Sequence, residues 1–214
     1  MLQLDDILDL RAYERVRDDY RRRVIARKRR RRVPLGPILT VVFECADTVR
    51  FQVQEMARAE RIVTDEGIQH ELDVYNRLLP SPGELSATLF VELTTEGDLR
   101  RWLPALVGIE RALAFEIGPA PLVSVPSVPE ASHAEALTRE AVTAAVHYVR
   151  FAFPPDAVAR VERASSEAGP APDDGALTLV ARHPAYEART VIGVETTSEL
   201  LGDLLGTTAP LPLR

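Results

Sequence analysis

Two glutamates and a histidine in the first half of the sequence are the residues whose types and spacing best suit chemistry. Apolar residues recur at helical spacing on both sides of Thr64–Asp65, which predicts two consecutive amphipathic helices. Glu60 falls within the apolar arc of the first helix, Glu71 lies inside the arc of the second, and His70 lies at its edge. Because a tight connection folds two helices antiparallel, we expect both carboxylates to point inward at similar depth.

An inward carboxylate needs a partner, because burying an unpaired charge is costly. One explanation is an ion pair with an arginine such as Arg50, or a hydrogen bond from a backbone amide. A second is a metal site formed by Glu60, Glu71 and His70, since carboxylates with imidazole suit iron, manganese or zinc. A third is a general acid–base pair with two separated pKa values. The sequence leaves all three open.

Four further residues could complete such a site. Gln52, on the flank of the first helix, and His183, directly after a predicted strand, are weaker candidate metal ligands. For His183 the simpler interpretation is a loop histidine bonded to its neighbours. If the carboxylates perform catalysis, Arg58 or Arg61 could hold a small anionic substrate. The pattern therefore allows an enzyme but does not establish one.

Other features exclude several classes of site. The sequence has no P-loop, GxGxxG, HExxH or GxSxG motif, and Glu130 and His133 form a single Glu-x-x-His match in a predicted loop. Cys45 is the single cysteine, which excludes an internal disulfide, a zinc ribbon and an internal iron–sulfur cluster. No histidine adjoins Cys45 in sequence, so we expect a buried, inert thiol.

Positive charge is concentrated at the start of the chain. Residues 1–32 hold twelve of the 26 basic and six of the 32 acidic side chains. The rest of the chain therefore holds 14 basic and 26 acidic side chains. The run Arg21–Arg32 could neutralise phosphates, or it could be a solvated helix face that pairs with the acidic body. No aromatic side chains are interleaved with the run, which argues against nucleic-acid binding.

These residues must be positioned by a mixed set of helices and strands. The pattern is typical of an α+β fold, with N-terminal helices and a helical hairpin packed on a mainly antiparallel or mixed sheet. Helices are predicted over residues 10–32, 47–63, 64–80, 98–106, 155–167 and 197–205, and strands over 35–44, 86–94, 112–117, 121–125, 144–153, 177–182 and 187–192, with loops over 126–140 and 169–175.

Length and composition favour a single cytoplasmic domain. The 214 residues suit one domain over 1–214, and the loop that begins near residue 125 could divide it into a helix-rich lobe (1–125) and a strand-rich lobe (126–214). No apolar run reaches the length of a membrane span, and the acidic N-terminus lacks the pattern of a secretory signal. The oligomeric state is left open, a homo-oligomer included.

Several segments resemble a bacterial family known as domain of unknown function number three thousand five hundred and one. The resemblance is carried by residues 47–62 (DTVRFQVQEMARAERI), 68–76 (IQHELDVYN), 82–92 (PGELSATLFVE), 148–151 (YVRF) and 183–186 (HPAY). The family's genes often lie beside genes for a rubrerythrin-like protein and a heterodisulfide-reductase-like iron–sulfur protein. The resemblance implies a place beside redox chemistry and gives no site residue a role.

We therefore expect an accessory or metal-binding protein of a cytoplasmic redox system, partnered with rubrerythrin-like and iron–sulfur proteins. A second hypothesis is an enzyme that uses its inward carboxylates for acid–base or metal-assisted chemistry on a small anionic substrate. A third is a non-catalytic scaffold that docks a redox partner through Arg21–Arg32 against an acidic surface.

Overall fold

A computed structural model describes residues 1–118, 122–130, 142–166 and 177–213. Its α-helices are α1 (Leu10–Arg30), α2 (Ala46–Glu60), α3 (Asp65–Tyr75), α4 (Glu96–Ala105), α5 (Pro155–Ser166) and α6 (Val194–Leu204). Its strands are β1 (Arg32–Leu35), β2 (Leu39–Phe43), β3 (Glu84–Val91), β4 (Leu113–Ile117), β5 (Val123–Pro129), β6 (Val146–Ala152), β7 (Leu177–His183) and β8 (Tyr186–Val191). Short 3-10 helices cover Leu4–Asp6, Asn76–Leu78 and Ile109–Arg111.

The strands form one eight-stranded sheet in the order β1-β2-β3-β6-β5-β4-β7-β8, and every neighbouring pair is antiparallel. The sheet curls until its two edge strands meet, which makes a nearly closed barrel. Side chains of β8 bridge the seam: the Tyr186 hydroxyl donates to the Leu35 carbonyl and the Thr190 hydroxyl to the Pro34 carbonyl, both at 2.7 Å. Curling in this way leaves little unpaired edge for another chain to extend.

Alternate residues of the strands fill the barrel with apolar side chains, as expected for a barrel of this size. The rings of Phe115 and Phe151 pack edge to face with centroids 4.9 Å apart, and Phe43 lies beside both. Helices cover the two ends of the barrel. The turn Ile109–Arg111 lies near the first residues of β6, whereas α6 receives a hydrogen bond from Gly83 just before β3, which is the opposite end.

The first three helices pack outside the barrel. Val49 and Val53 of α2 form a buried cluster with Leu72 of α3 and Leu78, and the half-buried Tyr148 of β6 packs against it. The helix α1 packs in turn on α2 through a cluster centred on Tyr13, Tyr20 and Val24, all fully buried. The amphipathic pattern of α1 therefore serves a helix–helix contact.

The α+β class and the antiparallel sheet are confirmed, and the closure into a barrel was not predicted. The loop predicted over residues 126–140 is wrong at its start, because β5 continues through Pro126 to Pro129 and pairs with β4 and β6. Residues 131–141 and 167–176, with the predicted loop 169–175 and the Glu-x-x-His histidine, lie outside the described residues. Within the described ranges no helix is both long and apolar enough to span a membrane.

Candidate functional site

The structure places Glu60 at the surface. It is the last residue of α2 and is exposed, as is Arg61, which ends the helix in the left-handed conformation at φ 56°. The inward position predicted for Glu60 is therefore wrong. Its helical phase does match the buried side of α2, but packing against that side ends at Ala57, and Val63 beyond the helix is 79% exposed. A helical wheel predicts the side of the helix on which a residue lies. It does not predict how far along the helix a neighbouring element covers that side.

The other hairpin residues do not converge with Glu60 on a metal site. Glu71 is half-buried on α3, His70 is exposed, and Leu72 is the buried residue of that helix. Among the described residues, no group of three or more His, Cys, Asp or Glu side chains is arranged to hold a metal ion. The metal and acid–base roles assigned to Glu60, Glu71 and His70 stay predictions without a shared buried pocket to support them.

Two of the remaining predicted residues, Arg58 and His183, have structural partners. Gln52 is half-buried on α2. Arg58 lies 3.5 Å from Glu14 and 3.6 Å from Glu55, so it ties α2 to α1. His183 accepts a hydrogen bond at Nδ1 from the Ala185 amide, and its Nε2 lies 3.0 Å from the Val107 carbonyl. These contacts fix the Nε2–H tautomer and match the simpler interpretation of His183 as a loop histidine.

The structure instead buries other carboxylates, among them Glu44 and Glu110. Glu44, at the end of β2, is 6% exposed and accepts hydrogen bonds from the hydroxyls of Thr48 and Thr88, the latter at 2.6 Å. Sequence pattern offered one signal for it, a carboxylate directly after a buried strand. Since both oxygens are bonded to hydroxyls, Glu44 fastens α2 to β3.

Glu110, another of these buried carboxylates, lies in the barrel end beside His147. Glu110 is 4% exposed and His147 3%, and Glu110 Oε2 lies 3.9 Å from His147 Nδ1 with no hydrogen-bond partner. His147 Nε2 lies 2.9 Å from both the Thr143 hydroxyl and the Ala144 carbonyl. Burial lowers the pKa of His147, against the opposing effect of the Glu110 charge. Both groups are therefore covered by the surrounding protein.

Cys45 is buried, as predicted. It is the residue before α2, and burial raises the pKa of its thiol although the nearby Arg31 guanidinium acts in the opposite direction. A neutral, covered thiol is a poor nucleophile.

Part of the basic run forms ion pairs within the molecule. Arg27 lies 3.2 Å from Asp47 of α2, Arg30 donates to Glu199 at 2.7 Å, and Arg31 pairs with Asp203 of α6. These contacts confirm, for this part of the run, that its arginines pair with acidic residues of the body.

Other arginines of α1, two of them before the run, face solvent on the opposite side of the helix. Arg11, Arg15, Arg22 and Arg29, which we call the basic face, are exposed and fall within an arc of about 40° at about 100° per residue. At ~1.5 Å per residue they span about 27 Å of helix. Arg22 pairs with Asp19 on the same helix, whereas the other three form no ion pair with any described residue. The face is therefore a positive stripe that the described part of the protein neutralises only at Arg22.

Comparison with known proteins identifies a family and a similar solved structure. The model of the family described as "Protein of unknown function (DUF3501)" matches residues 1–204. The chain is similar to a novel protein of unknown function from Burkholderia pseudomallei, whose crystal structure was determined at 1.90 Å resolution, with 33% sequence identity and a TM-score of 0.81. That match covers 95% of this chain and 98% of the other. No curated protein matches the chain.

Proposed function

We propose that this chain, which belongs to the DUF3501 family, is an accessory protein that docks an acidic partner of a redox system through its basic face. The observation that supports the proposal is the division of the N-terminal arginines into a paired and an unpaired set. Arg27, Arg30 and Arg31 are neutralised by the protein's own carboxylates, whereas Arg11, Arg15 and Arg29 are left exposed without ion pairs among the described residues. Retained surface charge of one sign is what steers association with an oppositely charged surface.

Charge is unevenly distributed along the chain. Residues 1–32 carry six more basic than acidic side chains, and the rest of the chain carries twelve more acidic than basic ones. A partner with an acidic patch is attracted to α1 and repelled by the body. The electrostatic field therefore favours partners with negative charge and also favours the orientation in which that charge faces α1.

An acidic protein fits this face better than a nucleic acid does. A long polyanion that bound α1 would also approach the acidic body. In addition, Asp18 and Asp19 lie beside the arginines on the same exposed side, and the exposed side chains between them include no aromatic ring for bases to stack on. A protein surface can place its carboxylates at the arginines alone.

The redox partners are the rubrerythrin-like protein and the heterodisulfide-reductase-like iron–sulfur protein that the family resemblance implies. Because this chain has one buried cysteine, any iron–sulfur cluster in such a complex would belong to the partner. We assign this chain the part of docking and positioning, with electron transfer carried by the partner's own centres.

The test measures binding of each purified redox partner from the same organism to the full chain. We expect the dissociation constant to rise steeply between about 50 and 300 mM salt, and to rise at least about tenfold when Arg11, Arg15 and Arg29 are all replaced by Glu. Replacement of Arg163 and Arg189, exposed arginines of α5 and β8, by Glu is the matched control and should change binding little. Binding that ignores salt, or that the control weakens equally, would contradict the assignment of the face.

A further inference from the structure

The segment after α6 runs across the first two helices. Residues 206–213, here called the tail, have no regular secondary structure and lie along a groove between α1 and α2. The apolar floor of the groove is formed by Tyr13 and Tyr20 of α1 and Phe51 of α2, with the rings of Tyr20 and Phe51 6.1 Å apart. The tail is thus an extended segment lying on an aromatic surface.

Two leucines of the tail contact this floor. Leu211 and Leu213 pack against the buried cluster of Tyr13 and Tyr20. Pro210, before the first leucine, and Pro212, between the two, are exposed. Side chains two residues apart point the same way in an extended chain, and proline, with its fixed φ, favours such a chain before it binds. Leucine and proline therefore alternate between groove and solvent.

Polar groups of the groove bind the backbone of the tail. Asp47 Oδ1 accepts a hydrogen bond from the Leu211 amide at 2.9 Å, and Arg50 donates to the Leu211 carbonyl at 3.3 Å. Arg27 donates to the Ala209 carbonyl at 3.2 Å. These hydrogen bonds are made to main-chain atoms, which any polypeptide has.

The three groove residues are also paired with one another. Asp47 is 1% exposed, and its carboxylate lies 2.8 Å from Arg50 and 3.2 Å from Arg27. Because the ion pairs fix the side chains on α1 and α2, the site is preorganised for an extended peptide. The family match ends at residue 204, so these residues lie inside it and the tail lies outside it.

We propose that this groove is a peptide-binding site for a Leu-Pro-Leu segment of a partner polypeptide, and that the tail occupies it as an intramolecular ligand. The two leucines supply the apolar contacts, the Asp47–Arg50 pair reads the intervening backbone, and the prolines lower the entropy lost on binding. The site is distinct from the basic face, which lies on the opposite side of α1, so either proposal can fail without the other.

A tethered segment competes strongly with a free one. A short linker gives its segment an effective concentration on the order of millimolar, so a free peptide at lower concentration cannot displace the wild-type tail. The test therefore uses the full chain with Leu211→Asp and Leu213→Asp, which places charge on the tail where the aromatic floor requires leucine. The probe is a fluorescent synthetic peptide of residues 206–213 with the natural sequence.

We expect the substituted chain to bind the peptide with a dissociation constant on the order of tens of micromolar, and the wild-type chain to bind it at least tenfold more weakly. A peptide that itself carries Leu211→Asp and Leu213→Asp should bind neither chain. If the doubly substituted chain does not fold, as judged by circular dichroism, the single variant Leu213→Asp replaces it, because that residue lies beyond the clamped Leu211.

Three results would overturn the proposal. A folded substituted chain that does not bind the natural peptide would make the tail simple intramolecular packing. Equal binding by the wild-type chain would place the peptide elsewhere. Concentration-dependent dimerisation of the wild-type chain that Leu211→Asp and Leu213→Asp abolish would make a second copy, not a partner polypeptide, the occupant.

Discussion

The guanidinium of Arg31 donates to both carboxylate oxygens of Asp203, at 2.5 and 3.1 Å, in the interior of the protein. Arg31 is wholly buried and Asp203 is 7% exposed. Glu199 lies 3.1 Å from the same guanidinium, and the Thr208 hydroxyl donates to Asp203 at 2.7 Å. The pair joins the residue after α1 to the last turn of α6, so elements from the two ends of the chain are fixed by one buried contact.

Removal of one partner of this pair should be strongly destabilising. Asp203→Ala leaves a buried guanidinium with the Glu199 carboxylate as its remaining charged partner, and we expect the free energy of unfolding to fall by about 3 kcal/mol or more. Urea denaturation measures it. The exposed pair Arg100–Glu96 provides the control, since Glu96→Ala should cost less than about 1 kcal/mol. A loss for Asp203→Ala as small as that of the control would contradict the view that this contact holds the two ends together.

His147 should make stability depend on pH near neutrality. Burial lowers its pKa in the folded state, so the unfolded chain binds the proton more readily. Stability from this group is therefore present above the unfolded pKa of about 6.5 and is lost as the pH falls through the lower folded value. Glu55, whose pKa is lowered by a hydrogen bond from Arg17, acts below this range.

The measurement is the free energy of unfolding in urea between about pH 5 and 8. The slope should flatten in His147→Gln and persist in His70→Gln, because His70 is exposed. An unchanged slope in His147→Gln would show that another group causes the dependence.

Periodicity in the sequence was sufficient to predict most elements but not the site. Val49 and Val53 predict correctly which side of α2 is buried. Glu60 lies on the same arc and is nevertheless exposed, because the burial of that side depends on where α1 and the barrel end. Likewise, β5 contains Pro126 and Pro129, which favoured a loop, although the ladders to β4 and β6 support the strand. Barrel closure depends on pairings distant in sequence, which no local pattern specifies.

Glu44 and Glu60 should differ sharply when each is replaced by Ala. Glu44→Ala leaves the buried hydroxyls of Thr48 and Thr88 without their acceptor, and we expect a loss of about 2 kcal/mol in the free energy of unfolding. Glu60→Ala removes an exposed side chain and should change it by less than about 0.5 kcal/mol. Chemical denaturation of both variants measures the difference. A large loss for Glu60→Ala would mean that the Glu60 carboxylate points inward, as the sequence predicted.

Cys45 should resist thiol reagents in the folded protein. The thiol is 2% exposed and burial raises its pKa, so little thiolate is present or accessible at pH 8. We expect labelling by a disulfide reagent to be at least about a hundredfold slower in buffer than in concentrated urea. Rapid labelling of the native protein would show that the start of α2 opens readily.

Gly36 should be required where the barrel closes. Its backbone has φ +73°, and a Cβ atom there would lie 2.3 Å from the Tyr186 hydroxyl oxygen, which itself donates to the Leu35 carbonyl across the seam. Gly36→Ala should therefore cost more than the roughly 1 kcal/mol of a left-handed residue alone. Gly108→Ala, at φ +91° with open space around the added carbon, measures that conformational cost separately.

Tyr186→Phe separates the clash from the backbone strain. The substitution removes the hydroxyl that Gly36→Ala would meet, at the loss of one hydrogen bond worth about 1 kcal/mol. The double variant should lose less free energy of unfolding than the sum of the two single losses, because the alanine no longer meets the hydroxyl oxygen of Tyr186. Urea denaturation of the four chains gives the coupling. Strict additivity would mean that Gly36 is needed for its backbone conformation and that the seam tolerates a larger side chain.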